Sequence, residues 1–127
     1  MLKFPKKQKL CNEKTIQRLF IHGEYIAEKP FKVVYNFEKH NENVFVRFLI
    51  VVSKKRVKLA VKRNHIKRRI KEVCRLHKKK IELLLERNNK QLNLAIIYQQ
   101  DDIIDSKLVE KKINSILTRL IKKLCDE

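Results

Sequence analysis

A basic run between residues 62 and 75, KRNHIKRRIKEVCR, is the segment of this 127-residue sequence best suited to chemistry. On a helix, at about 100° per residue, seven hydrogen-bond donors would fall within an arc of about 120° beside an apolar stripe. They are Asn64, Lys67, Arg68, Lys71, Arg75, Lys78 and Lys79. Arginine offers a fork to phosphate oxygens and lysine a point charge, and none of the seven is acidic. The pattern therefore predicts a phosphate-binding surface, since a face kept only for solubility usually mixes both signs.

The net charge is concentrated around the same run. The sequence has 32 basic and 14 acidic side chains, a net charge of +18. Residues 54–90 hold 16 of the basic and 3 of the acidic side chains, so +13 of the net charge lies there. Such a concentration indicates a polyanionic partner, either nucleic acid or an acidic membrane surface. Gly23 is the only glycine, which excludes a glycine-rich phosphate loop.

A second candidate feature is aromatic. Phe31, Tyr35 and Phe37 alternate along a predicted strand, and Phe20 lies on the predicted helix before it. Aromatic rings beside a positive field can stack single-stranded bases. Taken alone, these rings are better interpreted as core residues, with Tyr35 the best exception because its hydroxyl tolerates a wet cleft.

Catalytic and metal-binding patterns are weak. The histidines show no ligand spacing, the cysteines form no CxxC pair, and an acidic turn before a helix explains Asp101, Asp102 and Asp105. His77 falls in an apolar stripe, where a hydrogen-bonded core histidine is expected. We therefore expect no catalytic residue and no metal site in the chain itself.

The patterning predicts one domain, residues 1–127, beginning with a basic, mobile arm over residues 1–10. A helix capped by Asn12 and ended by Gly23 comes first. Strands are predicted at 31–37, at 44–53 as a central strand, and at 92–98, with a long helix ending near Arg87 and a last helix after Asp105 or Ser106. No secretory segment opens the chain, and the longest apolar run is too short to span a bilayer, so we expect a cytoplasmic protein.

The segment from Ser53 to Arg75, SKKRVKLAVKRNHIKRRIKEVCR, resembles the signature of the bacterial ribonuclease P protein component. LFIHG at residues 19–23 and the order of the elements fit the same family. The resemblance implies an α+β fold in which three helices pack with a small mixed β-sheet. Three strands are clear and a fourth comes from the resemblance, in the order α-β-β-(β)-α-β-α. A left-handed βαβ crossover, similar to domain 2 of ribosomal protein S5, is also implied.

The function implied by the resemblance is that of a subunit in an RNA-catalysed endoribonuclease. In this family a catalytic RNA subunit holds the active-site Mg²⁺ and removes the 5′ leader of precursor tRNA. The implied partners are that RNA and precursor tRNA, with no membrane, no small-molecule substrate and a monomeric protein. Two alternatives stay open, a structural RNA-binding protein resembling a ribosomal protein and a basic membrane-surface protein.

The resemblance also assigns site residues. Contacts to RNA are implied for Lys54, Lys55, Arg63, Asn64, Lys67, Arg68 and Lys71, and we expect Lys62, His65 and Arg75 of the same basic run to join them. Phe20 and Tyr35 match aromatic residues of the family's leader-binding cleft, and we expect Ile16 and Phe31 to line that cleft with them. Four positions depart from the family pattern: His65 stands where arginine is usual, Lys58-Leu59 replaces Gly-Asn, and Ile16 replaces an aromatic residue.

Overall fold

A computed structural model describes residues 12–39, 44–101 and 105–126. The expected α+β fold is confirmed, with three helices and one four-stranded mixed sheet in the described residues. In chain order the elements are α1 (Glu13–His22), β1 (Glu24–Glu28), β2 (Phe31–Phe37), β3 (Val46–Val52), α2 (Ala60–Arg87), β4 (Leu92–Tyr98) and α3 (Ser106–Asp126). The arm predicted for residues 1–10 lies outside the described residues.

The strands are arranged in the order β1-β2-β4-β3. β2 pairs antiparallel with both β1 and β4, whereas β3 and β4 are parallel and are connected through α2. A parallel pair needs a long crossover connection, and the 28 residues of α2 supply it. The handedness of this crossover stays a prediction from the resemblance.

Two strands differ from the expectation. Sequence patterning missed β1, which has only five residues and begins and ends on a glutamate. The apolar segment from Val44 to Ser53 was predicted to be a central strand, but β3 forms an edge of the sheet. Its apolar character comes from burial of Val46, Phe48 and Val52 under a helix rather than from pairing on both sides.

The sheet buries both of its faces, but unequally. On the face we call the helical face, alternate strand residues form the main core with α2 and α3. The opposite face, called the α1 face, carries a smaller cluster of Leu19, Val34 and Ala95. Because successive side chains of a strand point to opposite faces, β2 sends Val33 to the main core and Val34 to α1.

The apolar stripe of α2 joins the main core as predicted. Ile66, Ile70, Val73, Cys74 and Ile81 are buried, whereas Leu84 is half-buried and its neighbour Leu85 is fully buried. The predicted core histidine, His77, is half-buried, and its Nε2 lies 2.6 Å from Oδ1 of Asn114 on α3.

α1 begins and ends as the sequence predicts. The side chain of Asn12 accepts hydrogen bonds from the backbone N–H groups of Lys14 and Thr15. Gly23 ends the helix with a φ of −72°. This angle lies outside the left-handed region, so a left-handed backbone does not explain why the residue is a glycine. A Cβ at this position would clash with the carbonyl oxygen of Leu19 and lie 2.9 Å from Cγ1 of Val34. Glycine is required because α1 turns into the sheet at close backbone contact.

We therefore expect Gly23→Ala to lower the free energy of unfolding by about 1–3 kcal/mol, because the added methyl group overpacks a contact with backbone atoms. Urea denaturation followed by circular dichroism measures the change. Ile21→Ala, two residues away and 73% exposed, is the matched control and should change stability by less than about 0.5 kcal/mol. Equal effects of the two substitutions would contradict this explanation.

Candidate nucleic-acid interface

The first four turns of α2 carry a basic face that points away from the core. Burial of Ile66 and Ile70 fixes the rotation of the helix about its axis, so the donors of the basic face lie toward solvent. Asn64, Arg68 and Arg75 are exposed, and Lys67 and Lys71 are half-buried. Five of the seven residues that the sequence places on one face are thus brought together on the outer surface of the helix.

The positive face does not continue unchanged along α2. Lys78, predicted to extend it, has its Nζ 3.9 Å from a carboxylate oxygen of Glu82, one turn further on. Glu82 falls on the same helical position as the donors, because five turns separate it from Asn64. The strongest positive surface therefore lies between Asn64 and Arg75.

The N-terminus of α2 adds a second group of donors. Leu59 is the N-cap residue, and its side chain makes no capping hydrogen bond. Among the described residues, the first backbone N–H groups of the helix are therefore available to an anion. A cavity of about 480 Å³ lies here. Its polar lining comes from Lys55, Arg56, Lys58, Lys62 and Asp101. Four cations and one carboxylate around a helix N-terminus form a site suited to a phosphate group.

Arg63 has a positioning role in this region. Its Nη1 donates hydrogen bonds to the carbonyl oxygens of Val57, at 2.9 Å, and Lys58, at 2.8 Å. These bonds hold the loop that carries Lys54 and Lys55 against the start of α2. The sequence analysis expected an RNA contact at Arg63, whereas the observed bonds show its guanidinium shaping the loop. His65, which replaces the usual arginine, is half-buried.

The predicted leader cleft of Ile16, Phe20, Phe31 and Tyr35 is wrong as a single surface. Phe31 and Tyr35 are each 1% exposed and lie in the main core, on the helical face. Ile16 packs against the cluster on the α1 face, so the sheet separates it from these two rings. The Tyr35 hydroxyl donates to Oε2 of Glu24 at 2.8 Å, which satisfies its polar atom at the rim of the core.

The α1 face presents a different set of side chains. Phe20 is 44% exposed on α1, and Tyr25 is 61% exposed on β1. Leu49 and Ile97 are half-buried beside the small cluster. The ammonium group of Lys32 lies 4.6 Å from the centre of the Tyr25 ring. Sequence analysis missed Tyr25 because it missed β1, and the signal available was the apolar Tyr25-Ile26-Ala27 between two glutamates.

A polar row crosses the same face one step along the strands. Register places Asn36, Asn93 and Arg47 side by side on β2, β4 and β3. Asn93 is 1% exposed, and neither its amide nitrogen nor its amide oxygen has a hydrogen-bond partner within the described ranges. Sequence analysis missed this row, although the asparagine within LNLAIIY was the available signal.

An ion pair anchors α1 over this face. Nε and Nη2 of Arg18 donate to the two carboxylate oxygens of Glu38, at 3.1 and 2.5 Å, and Nη2 also donates to Thr15. The hydrogen bond with Glu38 raises the pKa of the Arg18 guanidinium above its usual value. This pair links α1 to the segment after β2.

Other reactive chemistry is sparse. Burial raises the pKa of the Cys74 thiol, which keeps it protonated in the core. In the part of the chain that the structure describes, no group of three or more His, Cys, Asp and Glu side chains could hold a metal ion. Over the same residues, no helix is long and apolar enough to cross a bilayer.

Comparisons with known proteins agree with the resemblance. The family model described as Ribonuclease P matches residues 4–121. The ribonuclease P protein component of Porphyromonas gingivalis is 29% identical over 115 residues, covering 91% of this chain and 84% of that protein. The component of Exiguobacterium sibiricum is 38% identical over 72 residues, covering 57% and 60% of the two chains.

Solved structures show the same fold. The RNase P protein of Staphylococcus aureus superposes with a TM-score of 0.73 at 24% identity, covering 89% of this chain and 94% of that one. The RNase P protein of Thermotoga maritima gives a TM-score of 0.67 at 23% identity, covering 87% and 96%. With the family model spanning nearly the whole chain, this protein belongs to the ribonuclease P protein family, whose members are subunits of the ribonucleoprotein that processes the 5′ end of tRNA.

Proposed function

We propose that this chain binds the catalytic RNA of ribonuclease P through α2 and the 5′ leader of precursor tRNA through the α1 face. The observation that carries the first half is the outward basic face from Asn64 to Arg75 beside an uncapped helix N-terminus. Folded RNA presents phosphates and 2′-hydroxyl groups rather than readable base edges, so its protein ligands are arginine, lysine and backbone N–H groups.

The second half of the proposal rests on Phe20 and on the shape of the α1 face. A leader is single-stranded, and its unstacked bases bind aromatic faces. Phe20 offers a ring of which 44% is exposed on α1, and Leu49 and Ile97 are half-buried on the sheet face that α1 covers. Tyr35, first expected to share this role, supports the core instead.

The chemical step is assigned to the RNA subunit. Mg²⁺, held mainly by RNA phosphates, would supply the activated water and stabilise the leaving oxygen. The chain's own part is to hold the catalytic RNA by charge and to orient the leader, which leaves a mature 5′ end on the tRNA. In this proposal the protein acts as a monomer in the cytoplasm.

Reconstitution tests the proposal directly. The protein mixed with the organism's catalytic RNA should restore 5′ maturation of precursor tRNA at low Mg²⁺, where the RNA alone is slow, because the basic face offsets phosphate repulsion. Gel analysis of the 5′ product measures it. RNA-free protein should yield no product. Cleavage by the protein alone, or no gain upon adding it, would contradict the proposal and favour a plain structural RNA-binding protein.

A matched pair of arginines tests the basic face. Arg68→Ala should weaken binding to the catalytic RNA roughly tenfold and reduce the slope of log K against log salt by roughly 1, since one phosphate contact is lost. Arg69→Ala removes the same charge from an exposed neighbour outside the predicted arc. Filter-binding titrations at several salt concentrations measure both. Equal losses for the two variants would show that only the total charge matters.

Phe20 and Ile21 form the corresponding pair for the leader. Phe20→Ala should reduce the affinity of the holoenzyme for precursor tRNA by about 1–3 kcal/mol, the value of one stacked base, while leaving affinity for mature tRNA unchanged. Ile21→Ala, at the 73% exposed neighbouring position, should change neither. Equilibrium titration of the two tRNA forms gives the comparison. A loss shared by precursor and mature tRNA would remove Phe20 from the leader site.

A further inference from the structure

A second basic groove lies at the β1 edge of the sheet, opposite the edge formed by β3. It runs between the outer edge of β1 and the C-terminal half of α3, with a volume of about 610 Å³. We call it the edge groove, and its lining is Tyr25, Ile26, Ala27, Arg119, Lys122 and Lys123. Tyr25 borders the α1 face, and the other five lining residues belong neither to the basic face of α2 nor to the leader site proposed above.

The groove lining carries three cations and no carboxylate, and Glu28 at the end of β1 is already engaged. Glu28 accepts a hydrogen bond from the Ser115 hydroxyl at 2.8 Å, and its other carboxylate oxygen lies 3.5 Å from Nη1 of Arg119. Lys122 and Lys123 are exposed, and within the described ranges neither has an ion-pair partner. The groove therefore keeps a net positive charge and favours an anionic ligand.

The backbone edge of β1 is partly closed to another strand. Nη1 of Arg119 also donates to the carbonyl oxygen of Ala27 at 3.3 Å, on the side of β1 that faces away from β2. A short edge covered by a cationic side chain is a feature that discourages strand addition. The groove is thus better suited to an anionic nucleic-acid strand than to a peptide that would add as a β-strand.

Tyr25 supplies an exposed aromatic ring, on which a base of an RNA strand can stack. Its ring is exposed on the α1 face, and the Lys32 ammonium group lies 4.6 Å from the ring centre. Register pairs Tyr25 with Val34, which packs against Leu19 of α1. The ring is therefore one strand away from α1, and it lies between the proposed leader site and the three cations of α3.

We propose that the edge groove binds the upstream part of the leader, with a base stacked on Tyr25 and phosphates held by Lys122 and Lys123. This rests on the proposed function, since the strand reaches Tyr25 from the α1 face. Lys122 and Lys123 lie just beyond residues 4–121, which the family model matches. Charge complementarity and continuity with the α1 face both favour a single-stranded RNA occupant.

The test compares a leader of about 4 nucleotides with one of about 16, a range that spans typical single-strand site sizes. The double variant Lys122→Glu/Lys123→Glu should weaken holoenzyme binding of the long-leader precursor at least about tenfold, and that of the short-leader precursor less than about twofold. Tyr25→Ala should weaken only the long-leader form, by about 5- to 150-fold, equivalent to one stacked base.

Lys107→Glu/Lys111→Glu is the matched control, because it makes the same charge change at exposed positions of α3 outside the groove. It should affect the two leaders equally. Thermal unfolding of each variant establishes that the fold is retained, and Tyr25→Ala tests the groove without any change of charge. A 4-thiouridine in the upstream leader should crosslink to wild-type β1 or α3.

Three results would overturn the inference. The groove variants could lose affinity equally for both leaders, or they could lose assembly with the catalytic RNA, which would make that RNA the occupant. Wild-type protein could also self-associate through β1 in a way that Lys122→Glu/Lys123→Glu abolishes. Failure of the proposed function looks different, because wild-type protein would then not stimulate maturation with either leader.

Discussion

Packing of the apolar stripe of α2 on the sheet is the interaction on which the rest of this structure depends. Burying a side chain such as Ile66 or Ile70 contributes roughly 1.5–3 kcal/mol. Repulsion between exposed cations in water is about 1 kcal/mol at close range, and salt screens it further. Burial therefore outweighs the cost of gathering many like charges on one helix. The same packing sets the helix rotation, so the basic face points outward.

The two faces of the sheet divide the molecule by chemistry. The helical face is used for stability, because α2 and α3 bury alternate residues of all four strands against it. The α1 face has a much smaller core and leaves Phe20 and Tyr25 exposed. Because one sheet separates the two faces, the surface that we propose for the leader does not share side chains with the main core.

Two arginine side chains position the backbone beside these surfaces. Arg63 uses its guanidinium to hold two loop carbonyl groups, so a residue of the basic run shapes the site. Arg119 does the same at the edge of β1, where it contacts both a carbonyl and Glu28. In both places an arginine holds the backbone in position, and the neighbouring lysines face the solvent.

Much of the fold could be predicted without tertiary information. Helical periodicity placed Val73 and Cys74 in the core, the strand at 92–98 has its observed bounds, and Asn12 caps its helix as expected. These features are local, since a cap or a stripe depends on residues within a few turns. The arc of donors from Asn64 to Arg75 follows from the same arithmetic, and the motif around it identified the family.

Tertiary structure alone decided which aromatic rings are accessible. Alternation placed Phe31 and Tyr35 on one side of β2, but nothing local states which side α1 covers, and α1 lies on the other. β4, which is distant from β2 in the chain, pairs between β2 and β3 and so makes β3 an edge. Tyr25 and the lysines of α3 come together because α3 packs at the edge of β1, so the edge groove has no counterpart in the linear sequence. The sequence by itself therefore determined the elements and the basic face, whereas the packing of α1 and α3 on the sheet determined the surfaces between them.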